Sequence, residues 1–67
     1  MNKYIPIKKL KDPVLAAVLV GKLQEEGIDA RLIEKGSSSY VIFNEEEIWV
    51  PEADVEKALE ILELSQD

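Results

Sequence analysis

Apolar residues recur at helical spacing between positions 12 and 28 of the 67-residue chain. At about 100° per residue, five of them share one broad face, which we expect to pack in the core. These residues are Leu15, Ala16, Leu19, Val20 and Leu23. Asp12 is a suitable N-cap, Pro13 suits the first helical position, and Gly27 can adopt the left-handed conformation that closes a helix. The pattern therefore predicts a helix over residues 12–28.

The opposite side of this helix carries a second apolar patch. It consists of Val14, Ala17, Val18 and Gly21, and it is interrupted towards the C-terminus by Lys22 and Glu25. A glycine inside a helix costs about 1 kcal/mol relative to alanine, and close approach by another backbone is one compensation. We favour a helix wedged between a sheet and a second helix. A contact with another subunit is the alternative.

Alternating apolar positions predict one strand before the helix and one after it in the sequence, over residues 3–8 and 28–34. Pro6 has no N–H for a ladder, so the first strand should lie at a sheet edge or expose that side of its backbone. In the second strand, Ile28, Ala30 and Leu32 should point together. A strand, a helix and a strand joined this tightly predict a right-handed βαβ crossover.

The second half of the chain has apolar residues at 40–43 and 48–50 on either side of an acidic segment. Either one long bulged strand runs from Tyr40 to Val50, or a hairpin turns at Asn44–Glu46. We lean towards the hairpin. Pro51 should end the strand and lead into a second helix over residues 52–64. The core stripe of this helix should consist of Val55, Ala58, Leu59 and Leu62.

The element order β-α-β-β-α predicts a single α+β domain over residues 1–67. It corresponds to a ferredoxin-like split βαβ with an antiparallel sheet, both helices on one face, and the last strand missing. The final strand should lie between the first two. The sheet face without helices should then carry Tyr4, Pro6, Arg31, Ile33 and Trp49.

An apolar face left uncovered on a single chain usually marks a contact surface, and small domains often gain stability by oligomerisation. We therefore predict self-association, as a homodimer. The interface should use the sheet face or the helix face of Val14, Val18 and Gly21. We favour the sheet face, with Trp49 as its anchor, because tryptophan is enriched among the residues that dominate binding energy.

The net charge of −6 is unevenly distributed. Residues 1–11 carry four lysines and no acid, whereas residues 12–67 carry fourteen acidic and four basic side chains. Nucleic-acid binding requires clustered Lys and Arg, so we exclude nucleic acid as a partner. The longest apolar run, Val14–Val20, is too short to cross a membrane. The basic start lacks the apolar segment of a signal peptide, so we expect a cytoplasmic protein.

The chain contains no histidine and no cysteine, which removes the commonest general bases, nucleophiles and transition-metal ligands. We expect no enzymatic activity, no cofactor and no metal site. Glu45, Glu46 and Glu47 lack the spacing of a calcium loop, and we interpret them as a solvated acidic turn. Gly36–Ser39 beside Lys35 could contact a phosphate. Because this stretch does not lead into a helix, we interpret it as a flexible polar turn.

The whole connection Glu34–Glu47 is a candidate recognition element for a protein partner. Loops presented by a rigid scaffold often carry binding residues. The acidic side chains of Glu45, Glu46 and Glu47 would favour a basic partner surface and accelerate association at low salt.

A family resemblance is carried by two segments, DPVLAAVLVGKLQEEGIDARL (residues 12–32) and IWVPEADVEKALEIL (residues 48–62). They resemble the opening helix and the closing strand-proline-helix segment of a small family of prokaryotic domains of unknown function, labelled as signal-transducing proteins. The matching positions are Leu23, Gly27, Ile28, Trp49, Val50, Pro51, Glu52, Asp54 and Ala58. The resemblance implies kinship with nitrogen-regulatory signal transducers of ferredoxin-like fold. It carries no catalytic residue, and the short middle connection has no nucleotide-binding signature.

These observations together predict a non-enzymatic regulatory or protein-interaction module that self-associates and binds a protein partner whose identity the sequence does not reveal. The alternative is a sensor that binds a small ligand, a metabolite or a nucleotide, at a subunit interface.

Overall fold

The computed structural model describes residues 3–35 and 45–64 of the chain. It contains three strands and two helices in the order β-α-β-β-α, which confirms the predicted element order. The elements are β1 (Tyr4–Leu10), α1 (Pro13–Glu25), β2 (Arg31–Lys35), β3 (Glu45–Pro51), a single 3-10 turn (Glu52–Asp54) and α2 (Val55–Leu64).

The sheet has the order β1-β3-β2, and both outer strands pair antiparallel with β3. The prediction that the final strand lies between the first two is therefore confirmed. Among the described strands, the one that carries Pro6 lies at a sheet edge, as predicted. The register of β1 shifts between Pro6 and Lys8, so the strand is bulged directly after its proline. A proline and a bulge both discourage further strand pairing at a sheet edge.

The two ends of α1 follow the local signals in the sequence. The Asp12 carboxylate accepts hydrogen bonds from the Val14 and Leu15 amides at 3.0 and 3.2 Å. Gly27 has a φ of 86°, and the Ile28 amide donates to the Leu23 carbonyl at 3.0 Å. This is the Schellman closure of a helix. It ends α1 at Glu25, three residues before the end of the predicted helix.

The core lies between the helices and one face of the sheet. Its buried residues are Ala16, Leu19, Val20, Leu23, Ile28, Ala30, Ile48, Val50, Ala58 and Leu62. The prediction of a core position is wrong for two residues, because Leu15 and Leu59 are each 45% exposed. Both lie on the flanks of their helices, and a three-stranded sheet is too narrow to cover such flanks. Ile61 packs against the core in place of Leu59.

The predicted hairpin turn at Asn44–Glu46 is wrong. Glu45 and Glu46 belong to β3, where they pair in register with Lys35 and Glu34. The backbone of Lys35 likewise belongs to β2 and not to a turn. The rest of the predicted serine-rich loop, and the apolar segment at 40–43, lie outside the described residues.

The two faces of the sheet differ in what covers them. Ile48 and Val50 are fully buried and pack against both helices. Because side chains alternate along a strand, Glu47, Trp49 and Pro51 lie on the opposite face, where no helix packs within the described part of the chain. The register adds the neighbours of these residues from both edge strands. They are Tyr4, Pro6, Lys9, Arg31 and Ile33, so the predicted residues of the uncovered face are confirmed and Lys9 is added to them.

Candidate functional site

Trp49 lies at the centre of the uncovered sheet face, hereafter the open sheet face. It is half-buried in the middle strand, with Pro6 paired beside it on β1 and Arg31 on β2. Its indole Nε1–H donates a hydrogen bond to Glu47 Oε1 at 2.9 Å. This bond satisfies the only polar group of the tryptophan and restricts its rotamers. The indole ring is therefore held in one orientation by a contact within the chain.

A cluster of Tyr4, Asp29 and Arg31 lies at one end of the open sheet face. The Tyr4 hydroxyl donates to the Asp29 carboxylate, and Arg31 Nη2 lies 3.3 Å from Asp29 Oδ2. The Arg31 guanidinium carbon is 4.7 Å from the centre of the Tyr4 ring, within the range of a cation–π contact. Tyr4 and Arg31 come from opposite edge strands, so their contact bridges the end of β3.

The pKa values in this cluster follow from these contacts. The hydrogen bond to Asp29 raises the pKa of the Tyr4 hydroxyl above its ordinary value. The same hydrogen bond, and then the one from Arg31, lowers the pKa of the Asp29 carboxyl. At neutral pH the cluster therefore combines an ionised carboxylate, a guanidinium and a neutral phenol. Asp29 was not singled out by the sequence, because nothing local distinguishes it from other surface acids.

The acidic residues at 45–47 do not form the solvated turn that the sequence predicts. Glu46 is 4% exposed and Glu47 is 7% exposed, because both belong to the central strand. Glu47 lies on the open sheet face beside Trp49, whereas Glu46 lies on the helix side and pairs with Glu34. Burial, and then the nearby Glu34 carboxylate, raises the pKa of Glu46. Residues 36–44 of the proposed recognition connection lie outside the described residues.

The exposed side of α1 remains apolar in the folded chain. Val14 is 72% exposed and Val18 is 52% exposed, with Leu15 and Ala17 exposed beside them. A Cβ added at Gly21 would meet no atom within 4 Å. The expectation that a second helix covers this patch is wrong for the described residues, since α2 packs along a different side of α1. Close backbone approach inside the described chain does not explain Gly21.

One groove opens between the C-terminal part of α1 and α2, with a volume of about 370 Å³. Its lining residues are Lys22, Glu25, Glu26, Lys57, Glu60, Ile61 and Leu64. The Lys57 ammonium donates to the Glu26 carbonyl oxygen at 3.4 Å. Within residues 3–35 and 45–64, no three acidic side chains lie close enough together to hold a metal ion. In the same ranges, no helix is long and apolar enough to span a bilayer.

Comparison with known families identifies the chain at family level. A family model described as "Putative prokaryotic signal transducing protein" matches residues 5–66. The chain belongs to this family. The match confirms the resemblance seen in the two sequence segments and covers the chain from β1 to α2. No curated protein and no solved structure matches the chain.

Proposed function

We propose that this member of the signal-transducing family is a non-enzymatic protein-interaction module that self-associates and presents the open sheet face to a protein partner. We further propose that its architecture is a ferredoxin-like fold without the last strand. The strand order β1-β3-β2 and the packing of both helices on one face support this assignment. The family description supports the signalling role.

The observation that carries the proposal is the position of Trp49 between Pro6 and Arg31, on a sheet face against which no helix packs among the described residues. Tryptophan, tyrosine and arginine are the residue types most enriched among binding hot spots, and all three occur here. Glu47 and Asp29 hold these side chains through hydrogen bonds and an ion pair. A surface ordered in advance loses less side-chain entropy on binding, so more of the contact energy remains as affinity.

A non-enzymatic role is supported by the chemistry available to the chain. The sequence has no histidine or cysteine. On the open sheet face, Tyr4 and Arg31 bond to Asp29 and Trp49 bonds to Glu47, and the described residues bring together no nucleophile, base and oxyanion donors in one place. A protein-contact surface can use these aromatic and charged side chains without bringing a nucleophile, a base and oxyanion donors together.

Site-specific photo-cross-linking tests the partner surface in a prokaryotic host. A photoreactive side chain at Ile33, on the open sheet face, should capture a defined protein, whereas the same side chain at Leu64, exposed on α2, should not. The captured protein is then purified and titrated against the chain. We expect Trp49→Ala to weaken this binding about tenfold or more, and Leu64→Ala to leave it unchanged. Equal affinity of Trp49→Ala and Leu64→Ala for the captured protein would contradict the proposal.

The groove between α1 and α2 supports ligand sensing as the second candidate function. Two lysines, Lys22 and Lys57, line it and offer cationic contacts, but three glutamates lie around them. A thermal-shift series with nucleotides and metabolites tests this candidate. A ligand at 100 times its dissociation constant should stabilise the fold by about 2.7 kcal/mol. A shift that survives Lys57→Gln would move the ligand site away from the groove.

A further inference from the structure

The two edge strands of the described sheet differ in how they would meet a further strand. β1 carries Pro6, which lacks an N–H, and its register shifts directly after that proline. Both features discourage pairing at a sheet edge. β2 (Arg31–Lys35) contains no proline and pairs with β3 without a shift in register. Among the described residues, no strand pairs with the outer side of β2.

β2 offers an incoming strand both backbone groups and apolar side chains. Every second residue of an edge strand directs its N–H and C=O away from the sheet. Leu32 is 38% exposed and Ile33 is 37% exposed, although both are large aliphatic residues within a strand. They lie on opposite faces of the sheet, because side chains alternate along a strand. An added strand would therefore cover apolar surface on both faces.

The charge near the end of β2 limits which strand fits this edge. Glu34 is exposed and lies across the register from Glu46, so carboxyl groups of two neighbouring strands are side by side on the helix side of the sheet. Side chains directly opposite each other in an antiparallel pair are about 4.5–5.5 Å apart at Cβ. Opposite charges there are favourable and like charges are not. A strand with a lysine or an arginine opposite Glu34 therefore complements this edge.

A second copy of β2 does not meet this requirement. When two identical strands pair antiparallel about a two-fold axis, residues on the same face oppose each other. Glu34 would then face an even-numbered position of the second copy. The even-numbered residues within reach are Ala30, Leu32, Glu34 and Gly36, none of which is a cation. The charge of Glu34 therefore discriminates against self-pairing and in favour of a different protein.

We propose that the outer edge of β2 is a docking site for an extended segment of a partner protein, which adds antiparallel to the sheet and presents a cation, an apolar and a second apolar residue to Glu34, Ile33 and Leu32. The antiparallel direction continues the sheet, in which every described pair is antiparallel. Backbone hydrogen bonds supply the attachment, and the three side-chain positions supply the selectivity. This inference goes beyond the proposed function, because it uses the edge of β2 and not the aromatic side chains of the open sheet face.

Three capped peptides, titrated against the full chain and followed by NMR, test the site and its direction. Their cores are TKVVT, TVVKT and TQVVT. The first presents lysine, valine and valine to Glu34, Ile33 and Leu32 in the antiparallel direction, the second does so only as a parallel strand, and the third lacks the charge. We expect TKVVT to shift the β2 amide signals and to bind about threefold more tightly than either control, as expected for one cross-strand ion pair. Equal affinity of TKVVT and TVVKT would overturn the antiparallel direction.

N-methylated versions of TKVVT test the strand pairing itself. A methyl group on a peptide nitrogen removes the donor and blocks close approach of a neighbouring strand. Only alternate residues of the added strand direct their N–H towards β2. Methylation of one central valine should therefore abolish binding, whereas methylation of the other should leave the affinity within about twofold. Equal effects of the two methylations would overturn strand addition.

An exchange of charges tests the register. Glu34→Lys should reverse the preference, so that a TEVVT peptide binds more tightly than TKVVT. Glu34→Gln should bind TKVVT and TQVVT equally, because no charge is left to discriminate between them. Glu63→Lys makes the same charge change at an exposed residue of α2 and should leave the native ranking unchanged. A preference for TKVVT that survives Glu34→Lys would overturn the register.

Hydrogen exchange and Trp49→Ala separate this inference from the proposed function. In the chain alone, alternate β2 amides should exchange rapidly and become protected when TKVVT binds. Protection of all β2 amides without peptide would overturn the proposal, because the edge would already be covered. Trp49→Ala should leave the affinity for TKVVT within about twofold, since the tryptophan lies on β3. Absence of TKVVT binding up to about 1 mM would overturn the docking edge alone, because partner binding at the open sheet face is measured independently.

Discussion

The exposed side of α1 and the open sheet face are both left uncovered by the described residues, but they differ in how their polar groups are satisfied. On the sheet face, Trp49 bonds to Glu47, and Tyr4 and Arg31 bond to Asp29. On the exposed side of α1, the side chains of Val14 and Val18 have no polar group to satisfy and lie largely in water. A polar network therefore lets half-buried aromatic residues lie at a surface at low cost, whereas an aliphatic surface gains free energy mainly by being covered.

Two substitutions, one on each surface, should have the strongest effects, one on dimerisation and the other on partner binding. Val18→Glu should abolish dimerisation at micromolar concentration and leave the intrinsic affinity of the monomer for its partner unchanged. Trp49→Ala should weaken partner binding about tenfold and leave the dimer intact. Sedimentation equilibrium and calorimetric titration on the same protein samples measure both quantities. If either variant impairs both functions equally, the two surfaces are not independent.

The next effect concerns the polar network under Trp49. Glu47→Ala removes the acceptor of the indole N–H in a half-buried site, so the free energy of unfolding should fall by about 1–3 kcal/mol. Glu47→Gln keeps a carbonyl oxygen in the same position and should cost less. Urea denaturation of the two variants at neutral pH measures the difference. Equal losses would indicate that the negative charge, and not the hydrogen bond to Trp49, is the stabilising feature.

Gly21→Ala should act in opposite directions on the monomer and on the dimer. Gly21 lies inside α1 at an ordinary helical φ, and the added methyl group meets no neighbour in the described chain. The substitution should therefore stabilise the monomer by about 0.5–1 kcal/mol. If a second copy packs on the exposed side of α1, the methyl group would occupy the open space beside Gly21, so association should weaken. Tighter association would show that the partner helix does not approach Gly21 closely.

Glu46→Gln should raise the melting temperature at neutral pH. The pKa of Glu46 is raised by burial and by Glu34, so the folded state binds the proton more tightly than the unfolded state does. The stability that this proton provides is present below the unfolded pKa and is lost as the pH rises through the folded pKa. Glutamine resembles the protonated form at every pH. The gain should therefore shrink as the pH falls to about 4, a trend that melting curves across this range would reveal.

The smallest effect concerns the exposed Asp29. Its contribution to stability is lost as the pH falls, whereas that of Glu46 is lost as the pH rises. Contacts with Tyr4 and Arg31 lower the pKa of Asp29. The stability gained from its ionised form is present above the unfolded pKa and is lost as the pH falls through the folded pKa. Asp29→Asn should slightly lower the melting temperature at neutral pH and flatten its decline in acid. Comparison with Asp12→Asn, which keeps an N-cap, controls for the loss of a surface charge.

Much of the fold could be predicted from the sequence because the deciding interactions are local. The boundaries of α1 depend on Asp12, Pro13 and Gly27, which act on amides and carbonyls within one helical turn. The edge position of β1 follows from Pro6, whose backbone lacks a donor. The residues of the open sheet face follow from alternation along three strands once their order is known. Apart from the strand order, none of these inferences required a distant contact.

The exposure of particular residues was decided only by the tertiary structure. Leu15 and Leu59 have the periodicity of core residues, but the sheet is three strands wide and leaves them at the flanks of their helices. The sequence predicts a solvated turn at Glu46 and Glu47, because this segment is acidic and no local signal reveals strand pairing. They are buried because β1 and β2 flank them on both sides in the central strand. Strand register is set by contacts far apart in the chain, so periodicity alone could not specify it.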